Sequence, residues 1–86
     1  MPEISRFLGI VIAIYYNDHA PPHFHARYGD YEIRVSIADG AIMSGTFPKR
    51  AEQMVLEWLD LHRVEIMEDW TLAEQRKPLQ KIEPLE

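Results

Sequence analysis

The chain contains no cysteine and only four glycines among its 86 residues. Without cysteine it forms neither a disulfide nor a thiolate metal site, so any metal ion must be held by histidine, carboxylate or water. The few, scattered glycines also exclude a glycine-rich phosphate-binding loop. Stability must therefore come from packing or from self-association.

Positive charge is scarce as well. Nine Lys and Arg against 14 Asp and Glu give a formal net charge of -5. Nucleic-acid binding relies on clustered basic residues, so a nucleic-acid partner is not expected. The sequence before the apolar run at residues 9–16 lacks a basic leader, and that run is too short to cross a bilayer. We therefore expect a cytoplasmic protein without a membrane partner.

The composition is that of an ordinary globular protein. Hydrophobic residues make up 47% and charged residues 27% of the chain, which is typical of a folded domain. Because so short a chain cannot supply two hydrophobic cores, we predict one domain over residues 1–86. The β-branched run GIVIAIYY at residues 9–16 is apolar on both faces and predicts a central strand.

A hairpin is predicted for HFHARYGDYEIRVSI, residues 23–37. Gly29 followed by Asp30 suits a two-residue type II′ turn. Pairing residues outward from this turn assigns an apolar face to Phe24, Ala26, Tyr28, Tyr31, Ile33 and Val35, and a polar face to His23, His25, Arg27, Glu32, Arg34 and Ser36. This register predicts that His23 and His25 project from the same, polar side of one strand.

A fourth strand is predicted after the turn at Asp39-Gly40, over residues 41–47. Gly45 and the small side chains around it specify the register of this strand only weakly. The predicted fold is α+β: an antiparallel meander of three to four strands within residues 9–47, packed against one long C-terminal helix.

The helix is predicted over residues 48–69, because apolar residues recur at helical spacing at Ala51, Met54, Val55, Trp58, Leu59, Ile66 and Trp70. Thr71 and Glu74 have capping-box spacing, so the helix either breaks near Asp69 or continues to residue 76. The remaining residues 77–86 contain two prolines and predict an extended tail.

Several stretches carry a family resemblance: ISRFLGIVI, YYNDHAPPHFHARYG, IADGAIMSG, FPKRA, EWLDLHR and the final KIEPL. Through them nearly the whole chain resembles the small bacterial proteins called domain of unknown function 4160, with Phe47 where leucine is more usual. The resemblance implies no established activity. Members are often encoded beside another small protein, an arrangement similar to toxin–antitoxin pairs, which implies a protein partner encoded nearby.

The functional hypothesis that demands the least special chemistry is a protein-interaction module, such as one member of a toxin–antitoxin-like pair. The four tyrosines favour interfaces where they are not buried, although we expect most of them in the core: Tyr15, Tyr16, Tyr28 and Tyr31. An outer strand also favours pairing with a partner. Homodimerisation is expected because a small domain without disulfides gains from burying further apolar area.

The stretch NDHAPPHFH, residues 17–25, supports an alternative function as a metal site. Histidines two residues apart on a strand share a face, so His23 and His25 are two candidate ligands. His19 or Asp18 is a third and His62 of the helix a fourth, for a zinc or nickel ion. No other cofactor is expected.

The same stretch also supports metal-free acid–base cleavage of RNA. His23, His25 and His19 would supply the general base and the general acid. Arg34, with Arg27, would stabilise the developing negative charge. The sequence leaves these alternatives open.

Overall fold

An antiparallel five-stranded sheet followed by one long helix makes up the computed structural model, which describes residues 2–86. The elements are β1 Glu3–Phe7, β2 Ile10–Ala13, β3 His23–Tyr28, β4 Tyr31–Ser36, β5 Ile42–Thr46 and α1 Lys49–Glu74. The strands lie in the sheet in chain order. The predicted α+β meander is confirmed, with one strand more than expected.

The additional strand is β1, Glu3–Phe7, which pairs with β2 at one edge of the sheet. The turn between them is formed by Leu8 and Gly9, both with positive φ, 52° and 83°. Two positive φ values define the type I′ turn, which asparagine followed by glycine usually marks in a sequence. Leucine in the first position concealed this turn, and β1 with it. β2 therefore has neighbours on both sides, as predicted.

The β3–β4 hairpin has the predicted register, with Tyr28 opposite Tyr31 and His25 opposite Arg34. Of the two turn residues only Gly29 has positive φ, 58°, as a type II′ turn requires. The turn thus determines which side chains share a face with His25. The apolar face carries the core residues Phe24, Ala26, Ile33 and Val35, all buried.

Gly45 fixes the pairing of β5 with β4 rather than weakening it. Its φ is 86°, and a Cβ at this position would overlap the main-chain carbonyl of Glu32. Only glycine tolerates both the positive φ and the close approach. The β4–β5 ladder also contains an irregularity between Arg34 and Val35.

The helix α1 covers the sheet with one buried stripe, formed by Ala51, Val55, Trp58, Leu59, Ile66, Trp70 and Ala73. It does not break near Asp69. The irregularity lies at His62 instead, where φ is -128° and ψ is 21°. The Thr71 hydroxyl donates to the Met67 carbonyl within the helix, 3.2 Å, so Thr71 is an internal residue and not a cap.

Residues 77–86, here called the C-terminal strap, have no regular secondary structure, in agreement with the predicted extended tail. The strap runs along the outer edge of β1, where the Ile82 N–H donates to the Ile4 carbonyl at 2.8 Å. The indole N–H of Trp58 donates to the Glu83 carbonyl, 2.9 Å. Strap, helix and first strand therefore pack as one unit. Within residues 2–86 no helix is long and apolar enough to span a membrane.

Asp69 lies under the strap with no exposed surface, and its Oδ1 accepts the Gln80 N–H at 2.8 Å. Its Oδ2 has no hydrogen-bond partner among the described residues. Burial raises the pKa of Asp69 above its usual value, the Gln80 hydrogen bond opposes this rise, and Glu68 and Glu65 add to it. The folded protein therefore holds this proton more tightly than the unfolded chain does.

A pH-dependent stability difference follows for Asp69→Asn. Since the folded pKa is the higher one, the favourable contribution is complete below the unfolded pKa, about 3.9, and is lost as pH rises through the folded pKa. The unfolding free energy of the wild type minus that of Asp69→Asn should therefore increase as pH falls from 7 to 4. Urea unfolding of both proteins at several pH values measures this. Gln53→Ala, at an exposed position of the same helix and without a titratable group, is the control. A difference between wild type and Asp69→Asn that does not change with pH would contradict the prediction.

Candidate metal centre

Three potential metal ligands meet where the β2–β3 loop enters β3. Asp18 comes from the loop, and His23 and His25 come from the first residues of β3. Asn17, just before Asp18, has a φ of 65°, a left-handed conformation that asparagine adopts more readily than most residues. We call these three residues the Asp18–His23–His25 cluster.

One carboxylate oxygen lies at the centre of the cluster. The Oδ2 atom of Asp18 is 2.9 Å from Nε2 of His23 and 3.0 Å from Nε2 of His25. One donor atom from each of the three residues lies within 4.8 Å of the other two. The other carboxylate oxygen, Oδ1, accepts the backbone N–H of His19 at 3.2 Å, which orients the group.

The surroundings of His23 determine which of its ring nitrogens carries the proton. Nδ1 lies 2.8 Å from the Pro21 carbonyl oxygen, and because a carbonyl only accepts, Nδ1 is the donor. In the neutral ring Nε2 therefore presents a lone pair toward Asp18 Oδ2. This buried Nε2 makes no hydrogen bond with any described residue, and only 2% of the His23 surface is exposed. With the ring neutral, two electron-rich atoms face each other here, and either a proton or a metal ion between them removes their repulsion.

His25 lies between two carboxylates. Its Nε2 contacts Asp18, and its Nδ1 is 3.4 Å from Oε2 of Glu32. A neutral imidazole has a single N–H and can donate to only one of them. Either a second ring proton or a metal ion at Nε2 satisfies both carboxylates at once.

The pKa of Asp18 shows the electrostatic balance of the cluster. Burial raises this pKa, but the hydrogen bond with His25, the attraction of the His23 and His25 rings in their protonated forms and the hydrogen bond from the His19 N–H together outweigh burial, so the pKa lies below its ordinary value. Asp18 is therefore a carboxylate at neutral pH, the form that binds metal.

Aromatic rings enclose both imidazoles. Trp70 of α1 packs on His23 with ring centroids 5.3 Å apart, and Tyr15 meets His25 edge-on at 4.5 Å. The expectation that both histidines lie on an open polar face is therefore wrong for His23. The strand register is as predicted, but the C-terminal half of the helix covers the start of β3.

The other predicted site residues lie apart from the cluster or make different contacts. The exposed side chain of His19 is not part of it. His62 lies on the helix, where its Nδ1 contacts Glu65 at 2.7 Å and its ring packs on Trp58. Arg34 donates to the hydroxyl of Ser44 at 2.8 Å. Arg27 pairs with Glu32 at 3.4 Å.

A cleft of about 280 Å³ opens beside the cluster, and sequence reasoning missed it. Asp18 forms part of its wall, together with Tyr15, Asn17, Trp70, Ala73, Glu74 and Arg76. The helix residues could not be assigned to it, because the sequence does not reveal how far α1 reaches over the loop. The sequence could have identified Glu32 as a neighbour of the cluster, since the predicted register places it diagonally opposite His25.

Comparison with known protein families gives a match over most of the chain. The family model described as "Domain of unknown function (DUF4160)" matches residues 9–71. This range contains the whole cluster and runs from the start of β2 into the last turns of α1. No curated protein and no solved structure matches the chain.

Proposed function

Since the chain belongs to the DUF4160 family, whose description assigns no activity, we propose from the geometry that the Asp18–His23–His25 cluster binds one divalent transition-metal ion. The observation that carries this proposal is the buried Nε2 of His23, which faces Asp18 Oδ2 at 2.9 Å without a hydrogen bond. A metal ion accepts electron pairs from both atoms and removes their repulsion.

The dimensions of the cluster suit such an ion. Zinc bonds to nitrogen and oxygen of about 2.0–2.1 Å in tetrahedral geometry place two ligand atoms about 3.3 Å apart. The two ring nitrogens lie 2.9 Å and 3.0 Å from the carboxylate oxygen. Each ring nitrogen must therefore move only a few tenths of an ångström further from the carboxylate oxygen to admit the ion, a shift that side-chain rotation allows.

The outer contacts of the cluster support the proposal, because they resemble those found around metal sites. Metal-binding histidines usually donate their second ring N–H to a carbonyl or a carboxylate, which fixes the ring and its tautomer. His23 does so to the Pro21 carbonyl, and Glu32 lies near the corresponding nitrogen of His25. Two imidazoles and one carboxylate are a donor set for zinc, nickel or iron(II), with at least one coordination position left open.

Isothermal titration of the metal-free full chain with zinc or nickel chloride tests the proposal. We expect a stoichiometry of one and a Kd that Asp18→Asn or His25→Gln weakens by at least about 100-fold, the upper end of the loss seen for outer partners alone. His19→Gln and His62→Gln are matched controls, because both histidines lie outside the cluster. A wild type that binds neither ion, or controls that lose as much affinity as the cluster variants, would refute the proposal.

Glu32→Gln should weaken zinc binding by about tenfold, because the Nδ1–H of His25 loses a charged acceptor while every direct ligand remains. The same titration measures the effect. Arg27→Gln is the control, since it removes the other partner of Glu32 and leaves the carboxylate in place. An unchanged Kd for Glu32→Gln would show that Glu32 does not support the site.

We also propose that the protein binds a small protein encoded nearby, in the manner of a toxin–antitoxin pair within the cytoplasm. Exposed apolar and aromatic residues at one end of the sheet support this proposal: Leu8 is 61%, Tyr28 37% and Tyr31 49% exposed. The expectation that most tyrosines lie in the core is wrong, since none of the four is buried. Exposed apolar and aromatic residues favour protein interfaces.

Co-expression with the neighbouring gene product tests the partner proposal. We expect co-purification of the wild type and its loss in the double variant Leu8→Ser with Tyr31→Ser. Leu61→Ser, at a position on the helix that is 65% exposed, is the control. The proposal fails if the two proteins neither co-purify nor alter growth when either is expressed alone. Size-exclusion chromatography of the purified chain tests the proposed homodimer separately.

A further inference from the structure

We propose that the cleft beside the Asp18–His23–His25 cluster binds the phosphate group of a small ligand, one oxygen of which coordinates the metal ion. This proposal rests on the proposed metal site. Three protein ligands leave a tetrahedral ion one open position, which water or a ligand atom fills. Asp18 is the one member of the cluster that lines the cleft, so we infer that a ligand reaches the ion from the side of Asp18.

The walls of the cleft connect it with the two histidines. Tyr15 and Trp70 both line the cleft. Tyr15 packs on His25 and Trp70 packs on His23, so each imidazole contacts one residue of the cleft wall. A ligand in the cleft therefore lies against the cluster and not at a remote surface.

Arg76 is the cation of the cleft, and its backbone conformation is unusual. It follows the end of α1 with a φ of 58°, in the left-handed region where helix ends usually carry glycine. Its N–H donates to the Ala73 carbonyl at 3.1 Å, and the next residue, Lys77, donates to the Leu72 carbonyl at 2.9 Å. A bulky residue held in a strained conformation beside a cleft points to a functional role.

The guanidinium of Arg76 is available to a ligand. Within residues 2–86 it forms no salt bridge and no side-chain hydrogen bond, although Glu74 lines the same cleft. Four of the other arginines, at positions 6, 27, 34 and 63, each have a side-chain partner. Asn17 and Tyr15, whose side chains carry an amide and a hydroxyl group, also line the cleft.

The charges select an anion. Asp18 and Glu74 contribute two negative charges, Arg76 one positive charge and a divalent ion two, which leaves the loaded cleft with a net charge of about +1. Phosphate has enough oxygens to reach the metal and still accept two N–H groups of arginine, the geometry that guanidinium recognises best. A volume of about 280 Å³ is at the lower limit for ligand pockets, so the ligand is small.

Cobalt(II) is the probe for the test, because its visible spectrum changes when a new ligand enters its coordination shell. The full chain is first loaded with one equivalent of cobalt, then titrated with inorganic phosphate, and in a parallel experiment with acetate, at constant ionic strength. We expect phosphate to change the spectrum saturably and acetate to bind at least about tenfold more weakly, since it has fewer oxygens for the arginine.

Substitutions of Arg76 separate ligand binding from folding. Arg76→Gln should weaken phosphate binding by at least about tenfold through the loss of a charge-assisted contact. Arg76→Gly should weaken it equally while raising the Tm, because glycine relieves the positive φ. Arg50→Gln, an exposed arginine outside the cleft, is the control with unchanged binding.

The possible failures are distinguishable. A chain that binds no cobalt, zinc or nickel overturns the metal site and this proposal together. A chain that binds cobalt but whose spectrum does not respond to phosphate overturns only the phosphate site. Equal phosphate affinity in wild type and Arg76→Gln, or acetate binding as tightly as phosphate, also overturns the assignment of the cleft.

Discussion

Replacing Trp58 by alanine should lower the unfolding free energy by about 3–5 kcal/mol, the usual cost of removing a large buried aromatic side chain. Trp58 has no exposed surface, and its ring lies 5.7 Å from those of Phe7 and Phe24, measured between centroids. Its indole N–H donates to the Glu83 carbonyl. The substitution therefore leaves a cavity between helix and sheet and releases one attachment of the C-terminal strap.

Chemical denaturation followed by circular dichroism measures the effect of Trp58→Ala. Leu61→Ala is the matched control on the same helix, since its side chain is 65% exposed and should change stability by no more than about 0.5 kcal/mol. A loss below about 2 kcal/mol for Trp58→Ala would show that this ring is not central to the core.

Zinc at about 100 times its Kd should stabilise the wild type by about 2.7 kcal/mol, because the ion binds the folded chain and not the unfolded one. For a domain of this size the Tm should rise by roughly 10–20 °C. Asp18→Asn should reduce the stabilisation to about 0.4 kcal/mol or less, the value for a Kd weakened 100-fold or more, because it removes the charged ligand shared by both histidines. Chelation should reverse the shift in the wild type. Differential scanning calorimetry with and without zinc measures it.

His19→Gln is the control for the zinc experiment, since it alters the neighbouring residue and leaves the cluster intact. It should retain the full shift. An equal shift in Asp18→Asn would assign the stabilisation to another site. If the Tm of the wild type does not change with zinc, the short contacts of the cluster are explained by a proton shared between Asp18 and the histidines and not by a metal ion.

Local rules predicted the hairpin that positions the two histidines. Gly29-Asp30 allows one turn type, and the turn determines the whole β3–β4 register, so His23 and His25 were assigned to one face without knowledge of the fold. Local sequence rules could not decide whether Asp18 or His19 is the third ligand. It depends on the left-handed conformation of Asn17, which aims the Asp18 carboxylate at the rings.

The burial of His23 and the cleft could not be predicted from the sequence, because both depend on tertiary packing. The burial of His23 depends on Trp70, and the cleft depends on Arg76, both of which reach the loop only because α1 extends past the start of β3. Helical periodicity shows which face of a helix is apolar but not which strand lies below each turn. His62 was proposed as a ligand for this reason, although the structure places it against Trp58.

During synthesis the C-terminal strap can cover the outer edge of β1 only after the rest of the sheet and the helix have been made. Because a ribosome makes the chain from its N-terminus, β1 emerges long before Lys81 and Ile82, which contact Glu3 and Ile4. An uncovered strand edge invites pairing with other chains. The outer edge of β1 thus stays uncovered until the strap has been made, and a ribosome stalled before residue 81 would hold a chain whose β1 is still open to pairing with a neighbouring chain.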